Sequence, residues 1–135
     1  MSSLTSDDYQ VLAEFRYLLR KFLRFSKDLL AAKAGINPEQ YEALLAVKAF
    51  PGKSMTILQL SERLQVKHHS AVNIVDRLVE RKLIRRTAGE EDRRERHLEL
   101  TAKGQELIEE LVSMHYPELR RRSGEMVKAL QRLRP

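Results

Sequence analysis

Residues 83–104, LIRRTAGEEDRRERHLELTAKG, constrain the fold of this chain more than any other stretch. Ile84 and Arg86 lead toward Gly89, which is predicted to supply the positive φ of a tight turn, and residues 97–100 return with the alternation of a half-buried strand. Between them, residues 90–96 hold Glu90, Glu91, Asp92, Arg93, Arg94 and Arg96, too polar a set for any core. Thr101 then offers a cap for a following helix. The chain must therefore fit a small β-hairpin with a charged tip between helical segments.

The segments before the hairpin are helical by period and by punctuation. Thr5, Ser6, Asp7 and Asp8 open a first helix whose apolar positions Val11, Leu12, Phe15, Leu18, Leu19, Phe22 and Leu23 recur at helical spacing to about Lys33. Gly35 is a fitting stop, and Asn37 with Pro38 restarts the chain into a second helix over residues 39–49. After the Pro51–Gly52 turn, Thr56 and Gln59 match a capping box for a short third helix with Ile57, Leu60 and Leu64 on one side. The tight connection Gln65–Val66 leads to a fourth helix, Lys67 to about Arg81, with Ala71, Ile74, Val75 and Leu78 on one stripe. Beyond the hairpin, Leu107, Ile108, Leu111, Val112 and Met114 mark a fifth helix. Pro117 is expected to bend or interrupt it, and Ser123 to cap a final helix carrying Met126, Val127, Leu130 and Leu133.

A chain of 135 residues with 42% hydrophobic residues is one domain's worth. It contains no cysteine, which excludes disulfides and thiolate metal sites and fits a reducing compartment. No apolar run reaches membrane-spanning length and residues 1–6 do not resemble a signal peptide, so a cytoplasmic protein without a membrane partner is expected. The net charge of +6 is uneven: residues 63–97 carry 10 basic and 6 acidic side chains and residues 117–135 carry 6 and 2, whereas residues 98–116 carry 1 and 4. Such runs are either solvated faces or the footprint of a polyanion, and pattern decides between them.

At about 100° per residue, His69, Val72, Asn73 and Asp76 lie opposite the apolar stripe of the fourth helix, with Ser70 and Arg77 on its flank. A helix offering Asn, Ser, His and Arg has donors and acceptors suited to base edges and phosphates. A short helix, a tight turn, a second helix and a basic hairpin, in that order, describe a winged helix-turn-helix: mainly α, with a small β-hairpin wing. Double-stranded DNA is the implied partner, contacted by Lys67, His68, His69, Ser70, Asn73 and Arg77 from the helix and by Arg86, Asp92, Arg93, Arg94 and Arg96 from the wing.

The apolar stripes at both chain ends exceed what a small domain can cover. Leu12, Phe15, Leu19, Leu111, Met126, Leu130 and Leu133 are therefore expected in a homodimer interface. Adjacent His68 and His69 diverge on a helix, and there is no HxxxH spacing, so neither a metal nor another cofactor is implied. Histidines near DNA, with ordinary pKa near 6.5, predict affinity that strengthens at mildly acidic pH. There is no Gly-rich phosphate loop, nucleophile elbow or paired-carboxylate scaffold, and the chain is not expected to be an enzyme.

The segments RLQVKHHSAVNIVDRLVERKLIRR and DRRERHLELTAKG resemble the MarR family of bacterial and archaeal transcriptional regulators. The likeness covers nearly the whole chain and is most specific at Asp92, Arg94 and the LTxxG of Leu100, Thr101 and Gly104. It implies a triangular homodimer in which residues 38–100 form the winged DNA-binding lobe and residues 1–34 and 101–135 the dimerisation helices, with the two lobes reading successive major grooves of a pseudo-palindrome. It further implies that Arg94 enters the minor groove and that Asp92 orients it, and that the protein is a repressor released by a small aromatic or phenolic effector. Phe15, Tyr17, Phe22 and Tyr41 are candidate linings for that effector, although core or dimer contact is the commoner use of such residues. Two positions depart from the family pattern. Lys82 stands where Gly is frequent, making a left-handed helix stop less comfortable, and Lys67 stands where a Ser or Thr cap is common. Competing readings are a nonspecific nucleic-acid or chromosome-organising module and a protein-interaction adaptor.

Overall fold

The computed structural model describes residues 3–135, which form helices α1 (Ser6–Ala34), α2 (Pro38–Ala49), α3 (Ile57–Leu64), α4 (His68–Glu80) and α5 (Ala102–Gln131) and strands β1 (Met55–Thr56), β2 (Ile84–Ala88) and β3 (Arg96–Leu100). The chain divides into two compact units, one of residues up to Leu29 with Val112–Pro135, the other of Leu30–Leu111.

In the Leu30–Leu111 unit the capping chemistry fixes where helices start. Asn37 and Gln40 satisfy each other's backbone amides at the start of α2, and Thr56 and Gln59 do the same for α3. Gln65 ends α3 in the left-handed region at φ 55°, and the chain enters α4 shortly after it. Leu44, Leu60, Ala71, Val75 and Leu78, each 0% exposed, join α2, α3 and α4 around one core, which Leu83, Ile84 and Leu98 extend into the sheet. Burying side chains of this kind contributes roughly 1.5–3 kcal/mol each before entropy is counted.

The sheet has three antiparallel strands in the order β1-β3-β2. Met55 and Thr56 pair with Leu98 and His97, a two-residue strand too short for its alternation to be legible. Ile84 faces Leu100 and Ala88 faces Arg96, so residues 89–95 form the hairpin tip. Gly89 does not supply a positive φ, contrary to expectation; among the described residues the glycine in that region is Gly35, at φ 61°. What requires glycine at position 89 is space: a Cβ there would lie 2.5 Å from the Asp92 carbonyl oxygen and 3.0 Å from His97 Nε2.

Two further expectations are corrected. Lys82 adopts the left-handed conformation, φ 61°, despite its side chain, and its amide and that of Leu83 close the end of α4 on the carbonyls of Val79 and Leu78. The helix stop is thus the one a glycine would give, held at a steric cost. Pro117 does not interrupt α5, which runs unbroken through it, and Ser123 caps no new helix but donates its hydroxyl to the Arg120 carbonyl within α5.

Thr101 caps α5 as expected, accepting from the Gly104 amide at 3.0 Å while its hydroxyl donates to the Lys82 carbonyl at 2.6 Å. A Cβ on Gly104 would lie 2.0 Å from the Leu83 carbonyl oxygen, so the LTxxG segment is a seam between the first turn of α5 and the exit of α4. The Arg81 guanidinium adds a second seam by donating to the carbonyls of Ala34 at 2.7 Å and Gly35 at 3.1 Å.

The other unit buries far less. Val11, Leu18 and Ala129 are its buried apolar residues, beside a buried polar pair in which Ser26 Oγ lies 2.8 Å from His115 Nε2. The rings of Phe22 and Phe25 meet the His115 ring edge-on. The ends of the chain are tied by Arg132 to Asp7 and by Arg134 to Asp8. The Arg134 hydrogen bond, helped by the Thr5 amide, holds the Asp8 carboxyl well below the usual carboxylate range. Leu4, Tyr9, Leu12, Tyr17, Leu23, Tyr116, Leu119, Val127, Leu130 and Leu133 remain exposed on this unit, ten of the twelve large apolar side chains exposed among the described residues.

Candidate nucleic-acid interface

α4 buries Ala71, Val75 and Leu78 and leaves His68, His69, Asn73 and Arg77 on its outer side, with Ser70 half-buried. The geometry follows from sequence: residues three or four apart share a face, so burying one stripe on α2 and α3 turns the polar residues outward. Lys67 is the N-cap residue and makes no side-chain capping bond, and neither His68, His69 nor Ser70 substitutes for one. The first amides of α4 thus point outward beside a cation, the arrangement that favours an anion at a helix start.

The wing tip is a folded turn rather than a loose loop. The Gly89 amide donates to the Glu95 carbonyl at 3.2 Å and the Glu95 amide to the Asp92 carbonyl at 3.1 Å, which places Arg93 and Arg94 at the turn's two central positions. Asp92 Oδ1 accepts from the Arg94 amide at 3.0 Å and lies 3.5 Å from Arg94 Nε. The Arg94 side chain is 94% exposed, so one carboxylate holds the base of an arginine whose fork is otherwise in solvent. At that exposure the pair contributes about 0–1 kcal/mol to stability, too little to determine the fold. Arg96 donates from Nη1 to the Arg93 carbonyl at 3.3 Å.

Arg86 sits differently from the tip arginines. Its guanidinium is bonded to Asp76 of α4, and its side chain is 29% exposed. It fastens the hairpin to α4, setting the spacing between helix and wing. Arg85, absent from the predicted site, makes a forked bond to Glu99 across the hairpin at 2.9 and 3.0 Å. Sequence reasoning also missed the segment before β1: Lys53 pairs with Glu90 at 3.1 Å, and Ser54 Oγ lies 2.7 Å from His97 Nδ1. Periodicity could not signal these contacts, because they link residues 37 and 43 positions apart.

Of the predicted effector aromatics, Tyr41 lies in the Leu30–Leu111 unit and Phe15, Tyr17 and Phe22 in the other. Tyr41 is buried in the Leu30–Leu111 unit, and burial, with the charge of Glu42, raises its phenol above the usual value. In the other unit Phe22 stacks on Phe25 and Tyr17 is exposed beneath the Lys21 ammonium. A concavity of that unit is lined by Leu18, Lys21, Arg121, Arg122 and Glu125. Of the predicted dimer residues, Leu12, Leu130 and Leu133 are exposed, Phe15, Leu19 and Met126 are half-buried, and Leu111 is wholly buried within its own chain. No group of three or more His, Cys, Asp or Glu among the described residues is placed to hold a metal ion, and no described helix is long and apolar enough to cross a membrane.

A short helix, a left-handed turn, an exposed polar helix and a three-stranded sheet ending in a basic tip define a winged helix-turn-helix protein. The model of the MarR family matches residues 34–95. Over 96 residues the chain is 32% identical to the transcriptional repressor MprA of Escherichia coli, covering 71% of this chain and 54% of MprA. Over 81 residues it is 33% identical to the HTH-type transcriptional repressor MdtR of Bacillus subtilis, covering 60% of this chain and 51% of MdtR. The chain thus spans about half the length of these curated relatives. Its fold is shared with a MepR mutant of S. aureus solved bound to an oligodeoxyribonucleotide, at a TM-score of 0.68 and 24% identity over 88% of this chain and 81% of that one. The chain is thus similar to the MarR family over residues 34–95 and shares its fold with solved regulators of that kind.

Proposed function

We propose that the protein is a sequence-specific, DNA-binding transcriptional regulator that acts as a homodimer on a pseudo-palindromic operator. The observation that carries this reading is the pairing of an outward Asn73–Arg77 face on α4 with Arg94 held at its base by Asp92, two probes fastened to each other through Arg86 and Asp76. α4 enters the major groove, where Asn73 can make a bidentate contact to adenine and Arg77 can reach guanine or phosphate. Lys67, His68, His69 and Ser70 meet phosphate at the helix start. Arg94 enters the minor groove, and ordering its fork beforehand reduces the side-chain entropy lost on binding. Arg93 and Arg96 serve the adjacent phosphates.

Homodimerisation is supported by the apolar surface left on the unit containing both chain ends. Repression follows the function named for MprA and MdtR, and DNA as the partner follows the oligodeoxyribonucleotide bound by the MepR mutant. Release by a small aromatic or phenolic effector completes the reading, with Phe15, Tyr17, Phe22 and Tyr41 as its candidate contacts.

Competition binding tests the proposal. The regulator should prefer its operator over random duplex by about a thousandfold or more. Arg94→Ala should weaken all binding with little loss of stability. Asn73→Ala should instead relax sequence preference, by about 1–3 kcal/mol at the base whose edge the side chain no longer reaches. Equal weak binding to every duplex would favour a nonspecific module instead, and no binding an adaptor.

A further inference from the structure

We propose that His97 is a positioning residue for the wing: it ties the turn that displays Arg93 and Arg94 to the segment preceding β1. The role rests on the reading of the wing as a DNA probe. His97 lies on β3, paired with Thr56 on one side and Thr87 on the other. Its ring is 20% exposed and bonded at both nitrogens, Nδ1 to Ser54 Oγ at 2.7 Å and Nε2 to Glu95 Oε2 at 3.2 Å. Because a carboxylate only accepts, Nε2 carries a proton, and in the neutral ring Nδ1 accepts from the Ser54 hydroxyl.

Glu95 is the fourth residue of the turn whose first residue is Asp92. Asp92 therefore fixes one corner through Arg94, and His97 fixes the other through Glu95. Gly89 makes this possible, since a Cβ at that position would lie 3.0 Å from His97 Nε2 and press the ring away from Glu95. Without the imidazole bridge the turn keeps its backbone bonds but loses its tether to Ser54, and the two arginines sample more orientations before DNA arrives. The loss falls on affinity rather than on the fold, because residues 90–96 are exposed.

The test uses the intact protein with His97→Leu, His97→Gln, Ser54→Ala and the double variant of His97→Leu with Ser54→Ala. Backbone amide relaxation of residues 90–96 in the free protein reads the tether directly, and titration with a mixed-sequence duplex reads its consequence. His97→Leu and Ser54→Ala should each loosen the tip amides and weaken duplex binding roughly three- to tenfold, with melting temperatures close to the parent's. Their effects should not add in the double variant, since both break one chain of bonds. His97→Gln, which can still donate to Glu95, should recover most of the affinity. Tip amides in both Ser54→Ala and His97→Leu as ordered as in the parent would overturn the proposal, as would fully additive losses. Ser54→Ala carries the test if His97→Leu fails to fold. If the parent itself binds no duplex while the variants still loosen the tip, the positioning role stands and the DNA reading fails.

Discussion

Lys82 holds a backbone conformation that side chains resist, with φ at 61° at the exit of α4. The left-handed region costs a non-glycine residue roughly 1 kcal/mol, so Lys82→Gly should raise stability by about that amount, partly offset by the freer unfolded chain. A thermal melt checks this, and unchanged DNA affinity would show that the lysine has no share in binding. The arginines separate on the same scale. Arg94→Ala removes a solvent-borne fork and should leave the melting temperature unchanged, whereas Arg86→Ala strips Asp76 of its partner and should loosen the hairpin on α4. Asp8 gives a pH dependence with a definite sign. Its carboxyl is depressed by Arg134, so the stabilisation is fully present above the ordinary carboxylate value near 3.8 and is lost as pH falls below it toward the depressed value. Acid titration of Arg134→Ala should lack that part of the parent's loss.

At the scale of elements, Gly104 is the position where sequence and packing are most tightly coupled. Its Cα faces the Leu83 carbonyl so closely that Gly104→Ala must move α5 off the hairpin's base, at an expected cost of about 1–3 kcal/mol in a denaturant titration. The motif is legible in sequence, but its reason is not, because the close approach joins residues on two elements. Caps and apolar stripes are legible for the same reason in reverse: Asn37, Thr56 and Thr101 act on amides within three residues. β1 is hidden by its two-residue length, and Gly89 reads as a conformational need where the structure uses it for clearance. The intrinsic cost of Pro117 predicts a break, and α5 absorbs it. Pro117→Ala restores one amide donor and should stabilise α5 by up to about 3 kcal/mol, visible as a higher melting temperature.

For the whole molecule, the asymmetry between the two units carries the functional account. The Leu30–Leu111 unit has a closed core and an exposed polar face, as the proposed reading of DNA requires, whereas the unit of chain ends leaves Leu12, Val127, Leu130 and Leu133 in solvent. Placing charge at two of these positions, Leu12→Glu with Leu130→Glu, should shift sedimentation from dimer to monomer without unfolding the reading lobe. The candidate site is legible from sequence wherever helical period turns residues outward, as at His69, Asn73 and Arg77. The wing's internal wiring is not, since Ser54 and His97 stand 43 positions apart and meet only in three dimensions. The measurement that bears most directly on the regulator reading is selection of bound sequences from a random DNA pool by the intact protein. The account predicts enrichment of one pseudo-palindrome whose half-sites lie about one helical turn apart, with the preference at one base of each half-site lost in Asn73→Ala. A pool that emerges unenriched, or enriched in single half-sites without symmetry, would contradict it.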